Sequence, residues 1–397
     1  MKFIEYKLSE LGEIVGGSTP FTKNESYYGG DIPWLTPKDL ANFNGRYINF
    51  GERNITEAGY KSTSVKMLPI NSVLFSSRAP IGYVAINNKN EVCTNQGFKS
   101  VIPNSKTDYM FLYYLLKYNK NKIEAMGSGT TFKEVSSTVM KNIIVNVPEA
   151  KEDQIKIGKI LSKIDDKIEL NTQTNDNLYE IGKNIYEDLF SKLNENNSKE
   201  YRLEEILDIL KDGTHNPPAR IENGVPLITG QTLQNGFIGY DKMTYISVGD
   251  YKKIHSKYQP QINDLIITKI GTVGKVAILR ECDIPITVHC NSAMLRFKKE
   301  FLTQFYGFWM LMSKDFITEF NKRISRTVQD FVSLGKMAEI PIKVPNYEIM
   351  KEYDEVFRTI LTKISHINFE NKTLIQLRDT LLPKLMNGEI DLDKIKI

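Results

Sequence analysis

The chain of 397 residues contains an internal repeat, which constrains its possible folds more than any other feature. Residues 71–86, NSVLFSSRAPIGYVAI, align with residues 263–278, NDLIITKIGTVGKVAI. Residues 142–148, NIIVNVP, align in the same way with residues 339–345, EIPIKVP. The offset is 192 residues for the first pair and 197 for the second. Because the repeat is imperfect, it predicts two halves that share a fold and differ in detail.

Each half begins with a region of short strands and turns. Alternating apolar runs such as residues 143–147, IIVNV, predict strands, and clusters of Gly, Asn and Pro predict the turns between them. Residues 111–118 and 304–312 are apolar almost throughout, which predicts one buried helix in each half. These patterns predict two similar globular domains of the α/β (α+β) class.

A shorter helix is predicted after each buried helix. Thr131 and Glu134 have the spacing of a capping box, in which the two side chains bond to each other's backbone N–H groups. Thr327 and Asp330 repeat this spacing in the second half. We therefore expect a helix to begin at each threonine, with backbone amides that can meet a phosphate.

Each half ends with a long helix that carries a heptad pattern. Apolar residues recur at alternating intervals of four and three, the 3.5-residue period of a supercoil. The pattern predicts that the two helices pair as an antiparallel coiled coil with pseudo-twofold symmetry, although packing on other chains stays open. The seam positions are Ile157, Leu161, Ile164, Ile168, Asn175, Leu178, Ile185 and Leu189 in the first helix, and Phe357, Ile360, Ile364, Ile367, Asn371, Leu374, Leu381 and Leu385 in the second.

Asn175 and Asn371 occupy the same position of the two seams. A polar residue in a seam either fixes the register of the pair at a cost in stability or lies partly exposed. Both interpretations stay open from the sequence.

The predicted domains and helices divide the chain into four segments, and these segments differ in net charge. The net charge is +5 over residues 1–148, −4 over 149–200, +4 over 201–345 and −1 over 346–397. A basic segment attracts a phosphate backbone, but chance scatter of a few charges explains the alternation equally well. The predicted segments are a first domain at 1–148, a central helix at 149–195, a second domain at 196–345, and a C-terminal helix and tail at 346–397.

Several classes of protein are disfavoured. No run approaches the ~18 apolar residues of a membrane span, and the charged N-terminal sequence lacks the apolar core of a signal peptide. The expected location is therefore the cytoplasm. Three cysteines and four histidines show no paired metal-binding spacing, and His289 and Cys290 are expected on opposite faces of a strand. We predict no metal site and no disulfide framework.

Motifs for catalysis are incomplete. Residues 216–219, NPPA, resemble the methyltransferase motif that ends in an aromatic residue, but Ala219 takes the aromatic position. Residues 271–276, GTVGKV, lack the glycine spacing and the Ser/Thr of a phosphate loop, so they predict a turn between strands. These gaps favour a binding protein. The alternatives are a catalytic nuclease or methyltransferase, and a two-module scaffold that does not bind nucleic acid.

The order of motifs along the whole chain resembles the specificity subunit of Type I restriction-modification systems. The segments that carry the resemblance are residues 16–20 (GGSTP), 32–40 (IPWLTPKDL), 127–131 (GSGTT), 147–168 (VPEAKEDQIKIGKILSKIDDKI) and 381–390 (LLPKLMNGEI). The first half matches more closely. In the second half RTVQD, residues 326–330, replaces GSGTT.

The resemblance implies a non-catalytic subunit with two target-recognition domains. Each domain would read one half of a bipartite site in double-stranded DNA, and the helices would set the spacing between the half-sites. The helices would also dock two modification subunits that bind S-adenosylmethionine and methylate adenine. Restriction subunits would add ATP-driven translocation and cleavage. No cofactor is expected on this chain.

Candidate DNA contacts are polar side chains in the two basic regions. Arg, Lys, Asn and Gln can read base edges, whereas any donor can bind a phosphate. For each candidate, a solvated surface residue or a helix cap is the alternative. The candidates are Thr19, Lys23, Lys38, Ser76, Arg78, Lys99, Thr130 and Lys133 in the first half, and Thr214, Gln231, Lys269, Thr272, Lys275, Arg296, Arg326 and Gln329 in the second. Arg78 and Lys269 are expected at nearly matching points of the repeat.

Overall fold

The computed structural model describes residues 1–41, 43, 45–78, 80–129, 133–214, 218–241, 243–326 and 329–392. The chain forms two compact units. The first unit comprises Met1–Thr172 and Glu370–Ile397, and the second comprises Gln173–Phe369. Each unit therefore contains one copy of the repeat and one part of each long helix.

The first unit is built on a four-stranded antiparallel sheet in the order β2-β8-β5-β6. Its strands are β1 Phe3–Lys7, β2 Gly12–Gly16, β3 Tyr28–Ile32, β4 Trp34–Leu35, β5 Val73–Phe75, β6 Val84–Ile86, β7 Cys93–Thr94, β8 Lys99–Pro103 and β9 Ile144–Pro148. Its helices are α1 Leu8–Leu11, α2 Pro37–Ala41, α3 Glu57–Lys61, α4 Tyr109–Tyr118, α5 Lys120–Ala125, α6 Ser137–Asn142, the first part of α7 Lys151–Ser191 and the last part of α12 Tyr347–Met386.

The second unit contains a four-stranded antiparallel sheet in the equivalent order β11-β19-β16-β17. Its strands are β10 Ser198–Arg202, β11 Leu207–Asp212, β12 Val225–Ile228, β13 Leu233–Gln234, β14 Phe237–Ile238, β15 Thr244–Ile246, β16 Leu265–Thr268, β17 Val276–Ile278, β18 Thr287–Val288, β19 Ser292–Phe297 and β20 Pro341–Pro345. Its helices are the rest of α7, α8 Val248–Ile254, α9 Gln304–Leu311, α10 Lys314–Lys322, α11 Leu334–Ala338 and the first part of α12 Tyr347–Met386.

The two units share the same main pairings of strands, as the sequence predicts, and differ in their smaller sheets. In each unit the first strand pairs antiparallel with the strand that precedes the long helix, β1 with β9 and β10 with β20. The hairpin turn after β5 and the one after β16 each contain a glycine with positive φ, Gly82 at 91° and Gly274 at 83°. Positive φ is strained for residues with a Cβ, so the glycine shared by the two repeats preserves this turn.

The buried helices predicted at residues 111–118 and 304–312 are confirmed as α4 and α9. No helix begins in the described residues directly after Thr131 and Thr327, where the capping pattern predicts one. Both threonines lie outside the described residues, but Glu134 forms β-bridges with Ser128 and Arg78. The next helices, α6 and α11, begin only after the caps Ser136 and Ser333. The pairing of Glu134 with distant backbone overrides the local capping pattern.

The two long helices pack antiparallel within the first unit. Asn171 Nδ2 donates to Asn371 Oδ1 over 2.9 Å, and Arg378 Nη1 donates to Asp165 Oδ1 over 2.9 Å. Moving toward the N-terminus of α7 therefore means moving toward the C-terminus of α12. The seam residues predicted in these parts of the helices are buried or half-buried.

The same antiparallel arrangement occurs within the second unit. Asn175 Nδ2 donates to Asn368 Oδ1 over 2.8 Å, while the Asn346 N–H donates to the Asn197 carbonyl over 2.8 Å. Asn175 is buried and Asn371 is half-buried. Each of them forms a hydrogen bond with an asparagine of the opposite helix, Asn175 with Asn368 and Asn371 with Asn171. This is the arrangement expected of polar seam residues that specify register.

Gly182 of α7 provides a hole for the indole of Trp309 in the second unit. A Cβ at this position would lie 2.3 Å from Trp309 Cζ2, and Trp309 is buried. We expect Gly182→Ala to destabilise the protein by ~1–3 kcal/mol, because overpacking a filled core forces side chains and backbone to shift. Urea unfolding monitored by circular dichroism measures the loss. When Trp309→Leu is also present, the additional loss caused by Gly182→Ala should be smaller, because the indole that fills the hole is gone. Simply additive losses would contradict the contact between Gly182 and Trp309.

Candidate nucleic-acid interface

The GGSTP loop of the first unit is held rigidly at one end of the sheet. The Ser18 N–H donates to the Thr94 carbonyl over 2.9 Å, and Trp34 Nε1 donates to the Ser18 carbonyl over 3.0 Å. The Thr19 hydroxyl donates to the side-chain carbonyl of Gln96. These bonds place two polar side chains, those of Thr19 and Gln96, next to each other on the loop surface.

A cluster of three charged side chains lies at the same end of this sheet. Arg78 follows β5 and Lys99 begins β8, and the carboxylate of Glu134 lies between their side chains. Arg78 Nε is 2.9 Å from Glu134 Oε2, and Lys99 Nζ is 3.5 Å from Glu134 Oε1. The Arg78 side chain is 46% exposed, whereas Lys99 is buried. Arg78 can therefore contact a ligand directly, whereas the buried Lys99 acts mainly through the electric field of its positive charge.

The other candidates of the first unit differ in exposure. Lys23, Lys38 and Lys133 are exposed, and Lys38 forms a 2.8 Å ion pair with Glu52. Ser76 is 0% exposed, and its hydroxyl donates to the Pro80 carbonyl, so it stabilises the hairpin turn. Thr130 lies outside the described residues.

Lys269 occupies the corresponding end of the sheet in the second unit. It follows β16, is buried, and has its Nζ 2.9 Å from Asp212 Oδ1. The Thr214 N–H donates to the Val288 carbonyl over 2.8 Å, as Ser18 does to Thr94 in the first unit. Each unit thus pairs a buried lysine with a carboxylate at this sheet end, but the carboxylates come from different elements.

The remaining candidates of the second unit fall into two groups. Arg296 lies toward the other end of β19, where Nε and Nη2 donate to the buried carboxylate of Asp264 over 2.7 Å. The structure therefore does not bring Arg296 together with Lys269. The exposed candidates are Gln231, Thr272, Lys275, Arg326 and Gln329.

Equivalent hydrogen bonds establish how the two sheet ends correspond. Val135 N donates to the Ser77 carbonyl, and Val332 N donates to the Lys269 carbonyl, both over 2.9 Å. Ser77 therefore corresponds to Lys269. Arg78 and Lys269 therefore lie at nearly matching points, one residue apart, as the repeat offset of 192 residues predicts. Arg78, bridged to Glu134, corresponds to Ile270, bridged to Phe331.

The segment after β18 differs from expectation. Because β18 ends at Val288, His289 and Cys290 do not alternate along a strand, and Cys290 Sγ lies 3.6 Å from His289 Nδ1. Burial, with Arg220 nearby, lowers the pKa of His289. No group of three or more His, Cys, Asp or Glu side chains suited to a metal occurs among the described residues.

The sequence did not single out Gln96 and Glu134, which the structure places at the candidate interface. Gln96 lies just after the short parallel strand β7, outside the aligned part of the repeat. Glu134 carried a local pattern that favoured a helix cap. Only the folded chain brings both residues to the end of the four-stranded sheet.

The sequence of the chain matches the model of a known family twice. The model of the Type I restriction modification DNA specificity domain matches residues 2–180 and again residues 195–378. The chain belongs to this family. Each match covers one copy of the repeat, so the predicted duplication and the predicted family are both confirmed. The described part of the chain contains no helix long and apolar enough to span a membrane.

Individual members of the specificity-subunit family are similar over most of the chain. The Type I restriction enzyme MjaIX specificity subunit of Methanocaldococcus jannaschii is 30% identical, over 98% of this chain and 94% of that protein. The MjaVIII specificity subunit of the same organism is 24% identical, over 72% and 71%. A crystal structure of a Type I S subunit from M. genitalium shares the fold, with a TM-score of 0.61, 19% identity and coverage of 97% and 96%.

Proposed function

We propose that the two domains of this specificity subunit each read one half of a bipartite site in double-stranded DNA. The observation that carries the proposal is the equivalent sheet end in each unit, formed by a loop anchored to a short parallel strand and by nearby cationic and amide side chains. Arg and Gln side chains offer the paired groups that distinguish base edges in the major groove. The exposed lysines suit phosphates, which position the protein without specifying sequence.

The proposal assigns the recognition domains to residues 1–148 and 196–345. It assigns the two spacer helices to residues 149–195 and 346–397, and the second of these segments also includes the C-terminal tail. The helices would fix the gap between half-sites and dock two modification subunits. S-adenosylmethionine would bind to those subunits, and ATP to the restriction subunits, with no cofactor on this chain.

The residues that we propose for DNA binding are a subset of the predicted ones, in which the buried Lys99 and Lys269 act through their positive charge and the others by direct contact. Ser76 and Arg296 are left out, since Ser76 is buried in a turn and the Arg296 guanidinium is held by Asp264. Thr130 lies outside the described residues, so it remains a candidate on the basis of the sequence alone. The subset is Thr19, Lys23, Lys38, Arg78, Lys99, Thr130, Lys133, Thr214, Gln231, Lys269, Thr272, Lys275, Arg326 and Gln329.

Two single substitutions test the assignment of one half-site to each domain. Arg78→Ala in the first domain and Gln231→Ala in the second should each weaken binding of the cognate site by ~1–3 kcal/mol. Each variant should relax specificity in one half-site, and the two variants should affect different halves. Competition binding of the assembled complex to duplexes with single base-pair changes measures this.

Arg202→Ala is the matched control for Arg78→Ala. Arg202 is exposed and also lies near a glutamate, Glu204, but it belongs to the β10–β20 pair outside the interface. Its replacement should leave binding unchanged. If both test variants relaxed the same half-site, the division of labour between the domains would be refuted. A loss equal on all duplexes would reassign that residue to phosphate binding.

A further inference from the structure

Glu134 is placed unusually for a protein surface that binds a polyanion. Its carboxylate is only partly exposed and lies at the centre of the cationic cluster in the first domain. One oxygen faces Arg78 Nε and the other faces Lys99 Nζ. A carboxylate here repels phosphates and cancels part of the positive charge that would attract them. Simple attraction of DNA therefore does not explain its position.

The contact with Arg78 has a specific geometry. Glu134 Oε2 forms an ion pair with Arg78 at its Nε, over 2.9 Å, and among the described residues no hydrogen bond to the Arg78 Nη atoms is found. The backbones of the two residues are also paired as a β-bridge, which holds the carboxylate beside the guanidinium. The side chain thus has its Nε side fixed by the protein while its end remains available for a ligand.

An arginine held in this way is preorganised for a base. The two Nη groups of a guanidinium can donate together to O6 and N7 of guanine, the commonest specific contact in the major groove. A long, mobile side chain loses rotamer entropy when it is immobilised on binding, and a fixed one loses less. A free arginine also binds any phosphate, whereas one neutralised by a carboxylate does so weakly.

Resting on the proposed function, we propose that Glu134 is a positioning residue for base specificity: it directs Arg78 to a guanine in the half-site of the first domain and suppresses phosphate binding by Arg78 and Lys99. In the second domain Ile270 and Phe331 stand at the corresponding bridge, so no arginine–glutamate pair forms at that point. Replacement of Glu134 should therefore affect only one half-site.

The experiment compares Glu134→Ala and Glu134→Gln in the complex with its modification partner. Binding is measured to the cognate duplex, to duplexes with one changed base pair, and to an unrelated duplex, each over a range of salt. Both variants lose the negative charge, so affinity for the unrelated duplex should rise several-fold. The slope of log K against log salt should steepen by about 1 for each additional phosphate contact.

The two variants should differ in discrimination. Glutamine keeps an oxygen that can accept from Arg78 Nε, so Glu134→Gln should retain most of the preference for the cognate base pair. Glu134→Ala should reduce that preference about tenfold or more in one half-site. Combining Glu134→Ala with Arg78→Ala should reduce it no further than Arg78→Ala alone, since a positioning residue acts through the residue it positions.

Glu149→Gln serves as the charge-matched control. It removes one carboxylate from an exposed ion pair with Lys2, outside the interface, and should change neither nonspecific affinity nor discrimination. If Glu134→Ala raised nonspecific affinity but left discrimination intact in both half-sites, Glu134 would be only a charge and the inference would fail. A wild-type complex without sequence preference would instead overturn the proposed function, and this inference with it.

Discussion

One heptad inserted into each long helix should lengthen the gap between the two DNA half-sites by about 3 base pairs. Seven helical residues add ~10 Å at 1.5 Å per residue, and B-form DNA rises ~3.4 Å per base pair. The insertions belong after Gln173 in α7 and after Phe369 in α12. These points lie between the asparagine contacts Asn171–Asn371 and Asn175–Asn368, so each contact stays intact within its own unit.

Mapping of methylated adenines in cells with the modification partner measures the gap. The half-sites should be unchanged, because the recognition domains are untouched. Three-residue insertions at the same points are the control, since they rotate the seam out of phase and should damage assembly. New half-sites with the old gap would show that the helices are not the spacer.

Replacing Asp165 by Ala should destabilise the protein by ~3–5 kcal/mol, the usual result of removing one partner from a buried ion pair. Asp165 is buried in the first unit, where it accepts from Arg378 Nη1 over 2.9 Å and from the Tyr114 hydroxyl over 2.6 Å. Alanine leaves both donors without this acceptor. Urea unfolding measures this loss of stability. The α12 segment should be released from α7 before the rest of the unit unfolds.

Asp379→Ala is the matched control, because Asp379 contacts the same guanidinium. Its carboxylate lies 2.8 Å from Arg378 Nη2 but is 58% exposed, against 9% for Asp165. An exposed pair contributes ~0–1 kcal/mol, so this variant should be almost as stable as the wild type. Equal losses for the two variants would mean that burial of Asp165 does not determine its contribution.

The features that local patterns encode were predictable from the sequence. The heptad seam follows from a period of 3.5, and the residues it selected, such as Ile157 and Ile364, are buried. The repeat predicted two similar domains, and both sheets show the same strand order. Their strand order itself depends on contacts between distant segments, which no periodicity reports.

Site residues were harder to predict because their partners are distant in sequence. Arg296 carries the same side chain as Arg78, but a buried aspartate 32 residues away engages its guanidinium. Glu134 lies 56 residues from Arg78, and its Thr-x-x-Glu spacing suits both a helix cap and the bridge that forms. Tertiary pairing decides between two local structures that the sequence alone leaves nearly equivalent.

Selection of bound duplexes from a random DNA pool tests the central claim most directly. The purified chain, assembled with its modification subunits, is incubated with the pool, and the retained duplexes are sequenced. The account predicts two short enriched blocks separated by a fixed, unspecified gap, with Arg78→Ala relaxing one block and Gln231→Ala the other. A single continuous block, or a pool that stays random, would contradict two recognition domains joined by a spacer.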